Sequence, residues 1–179
     1  IQLALPAGQT LGRANDINDA GVVVGSVNGG SLEIGSIWNE EGANTISTTT
    51  ATGCTMRTAY RVNSAGLVCG FGIDPNNAAR NVGMVYDSVA HTAFEVGALA
   101  GANGALAFAI GDGGHIVGSS MMNQGSGLPF IWTEATGMVA IPLPVGTSQG
   151  SARGVNSSGW AVGTASSAFA IPFLYDGDQ

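Results

Sequence analysis

The sequence contains no lysine. Its basic residues are five arginines, set against twelve acids for a net charge of −7. Binding to duplex DNA or RNA needs a dense basic surface, so a nucleic-acid partner is not expected. Docking on anionic lipid is disfavoured for the same reason. Charge of either sign is scarce, at 9% of residues against about 25% in ordinary globular proteins. The acids are scattered, which reads as solubility and not as a recruiting tail. No apolar run approaches the ~18 residues of a membrane span. Only two histidines, His91 and His115, and two cysteines, Cys54 and Cys69, are present. With no CxxC and no Cys/His cluster, no metal site or cofactor is expected. A Cys54–Cys69 disulfide would close a loop of about 15 residues and add ~3 kcal/mol in the chain-entropy model. Two buried free thiols are the alternative.

What the chain does hold is glycine, 29 in 179 residues, within a composition that is 45% hydrophobic. Disordered chains are poor in apolar residues and rich in charge, so this is a folded chain. Glycine has no period of three, which excludes collagen. Many glycines between short β-branched runs point to one all-β domain with many turns.

The glycines lie in a fourfold repeat of the form Ala-x-x-apolar-Asn-x-x-Gly-x-x-apolar-Gly. It begins at Ala14, Ala59, Ala107 and Ala152 and carries turn glycines at Gly21, Gly66, Gly114 and Gly159, spaced 45, 48 and 45 residues apart. Each unit predicts a β-hairpin around a four-residue turn. Asn18, Asn63 and Asn156 occupy one turn position, where an amide side chain can bond the backbone, and Gly111 replaces them in the third copy. The turn glycine accepts a positive φ. No DxDxDG calcium loop is present.

A third strand follows each hairpin: Gly35 to Trp38, Gly83 to Tyr86, Pro129 to Trp132 and Pro172 to Tyr175. Short fourth strands are expected at Asn44–Ser47, Ala93–Val96 and Met138–Ile141. Four strands in about 46 residues is the spacing of a propeller blade. Copy four ends without a fourth strand, whereas residues 1–6 precede copy one as a strand left over. That segment resembles Val139 to Pro144, which fills the fourth-strand place of copy three. The expectation is a four-bladed β-propeller with repeats at about 7–47, 48–96, 97–144 and 145–179. The strand 1–6, through Ile1, Leu3 and Leu5, closes the last blade or enters a neighbour's.

These residues resemble the HAF family of extracellular repeats. That pattern joins an Ala-x-x-Ile-Asn-x-x-Gly-x-x-Val-Gly hairpin to a His-Ala-Phe-Leu-Trp strand and a turn such as Asp-x-Gly-Met. The hairpin matches in all four copies. The strand matches as Leu128 to Trp132 and Ile171 to Tyr175, and more loosely as Ile34 to Trp38 and Val82 to Tyr86; Gly137-Met138 fits the turn. The family's histidine is Ile34, Val82, Leu128 or Ile171 here. The resemblance implies a secreted or surface-exposed bacterial protein with a propeller-like fold, after removal of a presequence. It supplies no reaction and no catalytic residues.

No nucleophile motif or phosphate loop stands out. Glu40-Glu41, Glu134 and Asp176 to Asp178 all fall in the turn after the third strand, a recurrence that reads as structural rather than as a glycosidase pair. The series Trp38, Tyr86, Trp132, Tyr175 reads as packing between blades, with sugar stacking as the alternative. Trp160 stands where the other copies have Val22, Leu67 and His115; a core position is expected, with an exposed contact as the alternative. Insertions at 72–80 and 121–127, with Asp74, Asn76, Asn77, Arg80, Asn123 and Gln124, are the candidate contact loops. The function expected is non-enzymatic: adhesion, ligand binding or a matrix role, with a surface glycan or protein as partner. The alternatives are a filament subunit joined by N-terminal strand exchange and a lectin-like module.

Overall fold

The computed structural model describes residues 1–30, 32–122 and 126–177. Among the described residues, fifteen strands form four antiparallel sheets, each a meander in which consecutive strands pair. Sheet 1 holds β1 (Leu11–Ile17), β2 (Val23–Asn28), β3 (Ile34–Asn39) and β4 (Gly42–Thr45). Sheet 2 holds β5 (Met56–Val62), β6 (Leu67–Asp74), β7 (Asn77–Asp87) and β8 (Thr92–Glu95). Sheet 3 holds β9 (Ala102–Ile110), β10 (Ile116–Met122), β11 (Gly127–Thr133) and β12 (Gly137–Ala140). Sheet 4 has three strands, β13 (Gln149–Val155), β14 (Ala161–Ser166) and β15 (Ala170–Tyr175).

The sheets pack in chain order through one repeated contact. The first strand of each sheet lies on the two middle strands of the sheet before it: β5 on β2 and β3, β9 on β6 and β7, β13 on β10 and β11. Each seam has its own hydrophobic core. Val24 and Ile37 meet Met56, Ala59 and Val62 in the first. Val85 and Cys69 meet Ala105, Ala107 and Ile110 in the second. Val117 and Ile131 meet Ala152 and Val155 in the third. A strand exposes alternate residues on its two faces, so one hairpin supplies one half of each of two successive seams. Small alanines at 59, 107 and 152, all fully buried, let each first strand approach the sheet beneath it.

Three expectations are corrected. Cys54 and Cys69 are both free and buried; Cys54 lies in the first core and Cys69 in the second, so they occupy different seams. Trp160 is not in the core but half exposed, because among the described residues no sheet covers that face of sheet 4. Residues 1–6 form no strand, and β15 pairs with β14 alone among the described residues. The N-terminal segment is held on its own first sheet instead. Trp38 Nε1 donates to the Ala4 carbonyl at 2.6 Å, and the Leu5 side chain packs over Gly12.

Candidate contact surfaces

At one end of the molecule the four repeat turns converge. Gly21, Gly66, Gly114 and Gly159 take φ between 76° and 85°, a region glycine enters freely. In each turn that glycine's N–H donates to the carbonyl at position 18, 63, 111 or 156. The Asn18, Asn63 and Asn156 carboxamide oxygens accept the N–H of Val22, Leu67 and Trp160, respectively. The free end of the same side chains links sheets. Asn18 Nδ2 donates to the Asn63 carbonyl at 3.0 Å, and Asn63 Nδ2 to the Gly111 carbonyl at 3.3 Å. Ser64 N–H donates to Asp112 Oδ1 at 2.8 Å and Val62 N–H to Asp16 Oδ2 at 3.0 Å. The Ser64 amide holds the Asp112 carboxyl below its ordinary range. A cavity of about 360 Å3 opens among the turns of all four sheets.

Just before these turns in the chain, on the first strands, lies a second group of residues. In every sheet the first strand bulges at the residue after the repeat alanine: Asn15, Tyr60, Phe108 and Arg153. A bulge re-aims its extra side chain. Tyr60 and Phe108 meet with ring centroids 5.5 Å apart, the Arg153 guanidinium sits 3.9 Å from the Phe108 ring centroid, and Asn15 Nδ2 donates to the Ala59 carbonyl. Burial pushes the Tyr60 hydroxyl above its ordinary pKa. No shared residue type marks these positions in the sequence; what they have in common is their place directly after the repeat alanine.

The opposite end carries the tips of the second hairpins. The β6–β7 hairpin is the longest, and its tip is braced. Arg80 Nη1 pairs with Asp74 Oδ2 at 3.0 Å, Arg80 Nε donates to the Asn103 carbonyl, and Asp74 Oδ1 accepts the Asn76 N–H. That amide, with Arg80, holds the Asp74 carboxyl below its ordinary range. Asn77 Oδ1 accepts the Ala79 N–H, leaving Pro75, Asn76 and Asn77 exposed. Asn123 and Gln124 lie outside the described residues. The equivalent tips of sheets 1 and 4 expose Leu32 and Phe169.

The aromatic series lies at the seams: Tyr86 in the first core, Trp132 beside the second and Tyr175 beside the third. An apolar cavity of about 440 Å3 opens at the second seam, lined by Phe94, Trp132, Leu67 and Glu134 among others. His91 Nδ1 meets the Tyr86 hydroxyl at 3.0 Å, while His115 lies against Gly159 of the next sheet. Among the described residues, no three His, Cys, Asp or Glu side chains are grouped to hold a metal ion. Comparison with family models, curated proteins and solved structures gives no match.

Proposed function

We propose that this chain is a non-enzymatic protein of the bacterial cell exterior, a propeller-type set of four blades that acts in adhesion or ligand binding through its second-hairpin tips. The observation that carries this reading is the tip end of the molecule. A braced hairpin presents Asn76 and Asn77, and equivalent positions of two other sheets present a bare Leu32 and Phe169. Exposed apolar side chains beside fixed amides are the makings of a contact surface. The resemblance to extracellular HAF repeats supports the location, and the scarcity of charge fits a surface meant to be covered. The partner on this reading is a surface glycan or protein.

The test is binding of labelled protein to a glycan array and to intact bacterial cells. The double variant Leu32→Ser/Phe169→Ser, with Asn76→Ala/Asn77→Ala as a second, is expected to lower retention at least tenfold with an unchanged far-UV spectrum. Equal retention by both variants would sink the reading.

A further inference from the structure

The seam repeated three times inside the chain has two unused halves at its ends. On sheet 4, the face that carries Val24, Cys69 and Val117 in the other sheets carries Val162. Those three are fully buried, whereas Val162 is 50% exposed. Leu174, equivalent to Ile37 and Val85, is 59% exposed. Trp160 lies on the same bare face, since alternate residues of a strand share a side. On sheet 1, Leu11 and Ile17 are 69% and 62% exposed, where Met56 and Val62 of sheet 2 are at 0% and 7%. Ala14 is exposed, where Ala59, Ala107 and Ala152 are all at 0%.

The polar part of the seam is divided in the same way. Inside the chain, an Asn amide of one turn donates to the next turn's carbonyl, and Asp112 accepts from the Ser64 amide of the sheet before it. Asn156 is the donor at the end of this series, and Asn18 presents the first carbonyl. Asp19 stands at the position of Asp112, and Ser157 at that of Ser64.

Among the described residues sheet 4 has no fourth strand, and the open position completes the pattern. Ile46, Val96 and Ile141 each end a fourth strand by donating their N–H to the carbonyl of Gly35, Gly83 or Pro129. Pro172 is the equivalent acceptor in sheet 4. Upstream of sheet 1, the chain runs as it does upstream of sheet 4. Leu5 covers Gly12 as Leu143 approaches Gly150, and Gln9 N–H donates to Pro6 as Thr147 N–H donates to Pro144, both at 3.1 Å. This register sets Leu3 where Ile141 stands. Ile141 is buried, but Leu3 is exposed.

We infer that sheet 4 of one molecule receives sheet 1 of a second copy, head to tail, in a fourth instance of the internal seam. β1 of the incoming copy lies on β14 and β15, Asn156 donates to its Asn18 carbonyl, and Ser157 N–H donates to its Asp19. The incoming Leu3 N–H bonds the Pro172 carbonyl and completes the three-stranded sheet. The occupant follows from continuity with the internal seam, whose two halves this chain holds apart at its ends. β15 is also an edge without a single charge from Ala170 to Tyr175, where natural edges are blunted by charge or lysine. A heterologous contact of this kind repeats without closing on two members. The inference is independent of the tip surface, which lies elsewhere on each blade.

The test uses two variants at exposed positions, Val162→Arg on the sheet 4 face and Ile17→Arg on the sheet 1 face, in analytical ultracentrifugation. The unaltered chain is expected to give a concentration-dependent series of oligomers. Each variant alone is expected to stay at 17.8 kDa, and an equimolar mixture to form a heterodimer of twice that mass. Trp160 emission should shift to the blue as the wild-type oligomers form. If Val162→Arg fails to fold by circular dichroism, Leu174→Arg takes its place. A wild-type chain that stays monomeric at every concentration would mean that the seam closes within one molecule, and would overturn the inference. So would oligomers that persist in both variants, or a mixture that stays monomeric.

Discussion

Cys69 shows how far a single side chain's chemistry depends on its seam. It is fully buried between sheets 2 and 3, and burial pushes its thiol up to about 12. The folded state therefore keeps a proton that the unfolded chain releases near its ordinary value. Stability is expected to be full below about pH 9 and to fall as pH rises toward 12, by up to about 1.4 kcal/mol per pH unit from this group. Burial raises Tyr60 and Tyr86 as well, so the check is urea unfolding of Cys69→Ala beside the wild type across that range; the variant should lose less. A reducing agent should leave the melting temperature unchanged at neutral pH, whereas a bridge would have contributed about 3 kcal/mol. Gly70 is set by contact at the same place. A Cβ there would overlap the Thr58 carbonyl and lie 3.1 Å from Ala59 Cα, both of which are backbone of the bulged strand. Gly70→Ala should cost about 1–3 kcal/mol. Gly30→Ala meets nothing within 4 Å and should be neutral or slightly stabilising, a contrast that denaturant midpoints would read.

At the scale of the element, the repeat turn does two jobs with one side chain. Asn63 accepts from Leu67 and Ala65 within its own turn and donates to Gly111 of the next sheet. Asn156 accepts the corresponding bonds from Trp160 and Ser158, but it is exposed, and among the described residues its Nδ2 makes no bond to another sheet. Asn63→Ala should therefore cost about 2–3 kcal/mol and Asn156→Ala about 1, from the number of bonds lost and the burial of the groups left behind. Equal losses in chemical denaturation would refute the double role. The turn was legible in the sequence because Asn, Asp and Gly at fixed offsets are demanded by local backbone geometry. The bulge was not. Asn15, Tyr60, Phe108 and Arg153 share no chemistry, and only pairing against β2, β6, β10 and β14 shows that each is an extra residue aimed out of the ladder.

For the whole molecule, period and order were legible because each hairpin carries one half of each of two successive seams, so the same residue types return every 45 to 48 residues. The fate of the two ends was not, because burial there depends on what lies alongside. Trp160 occupies a position that is partly covered in Val22 and Leu67 and bare in sheet 4, with no local residue to announce the difference. Likewise, Cys54 and Cys69 are close in sequence and yet belong to different cores. An array in which each sheet packs on its neighbours in chain order has a stability that is nearly a sum of sheet and seam contributions. Sheets 2 and 3 are each held by two seams, and sheets 1 and 4 by one. Sheet 1 is further tied by the Trp38–Ala4 bond, while sheet 4 has three strands among the described residues. Amide exchange at a concentration where the chain is monomeric should therefore be fastest in β14 and β15, slower in β2 and β3, and slowest in β6, β7 and β10. Terminal units with fewer interfaces open at lower free energy than the global unfolding. Uniform protection across the four sheets would mean that the molecule unfolds as one block, and that the seams between sheets are stronger than the sheets themselves.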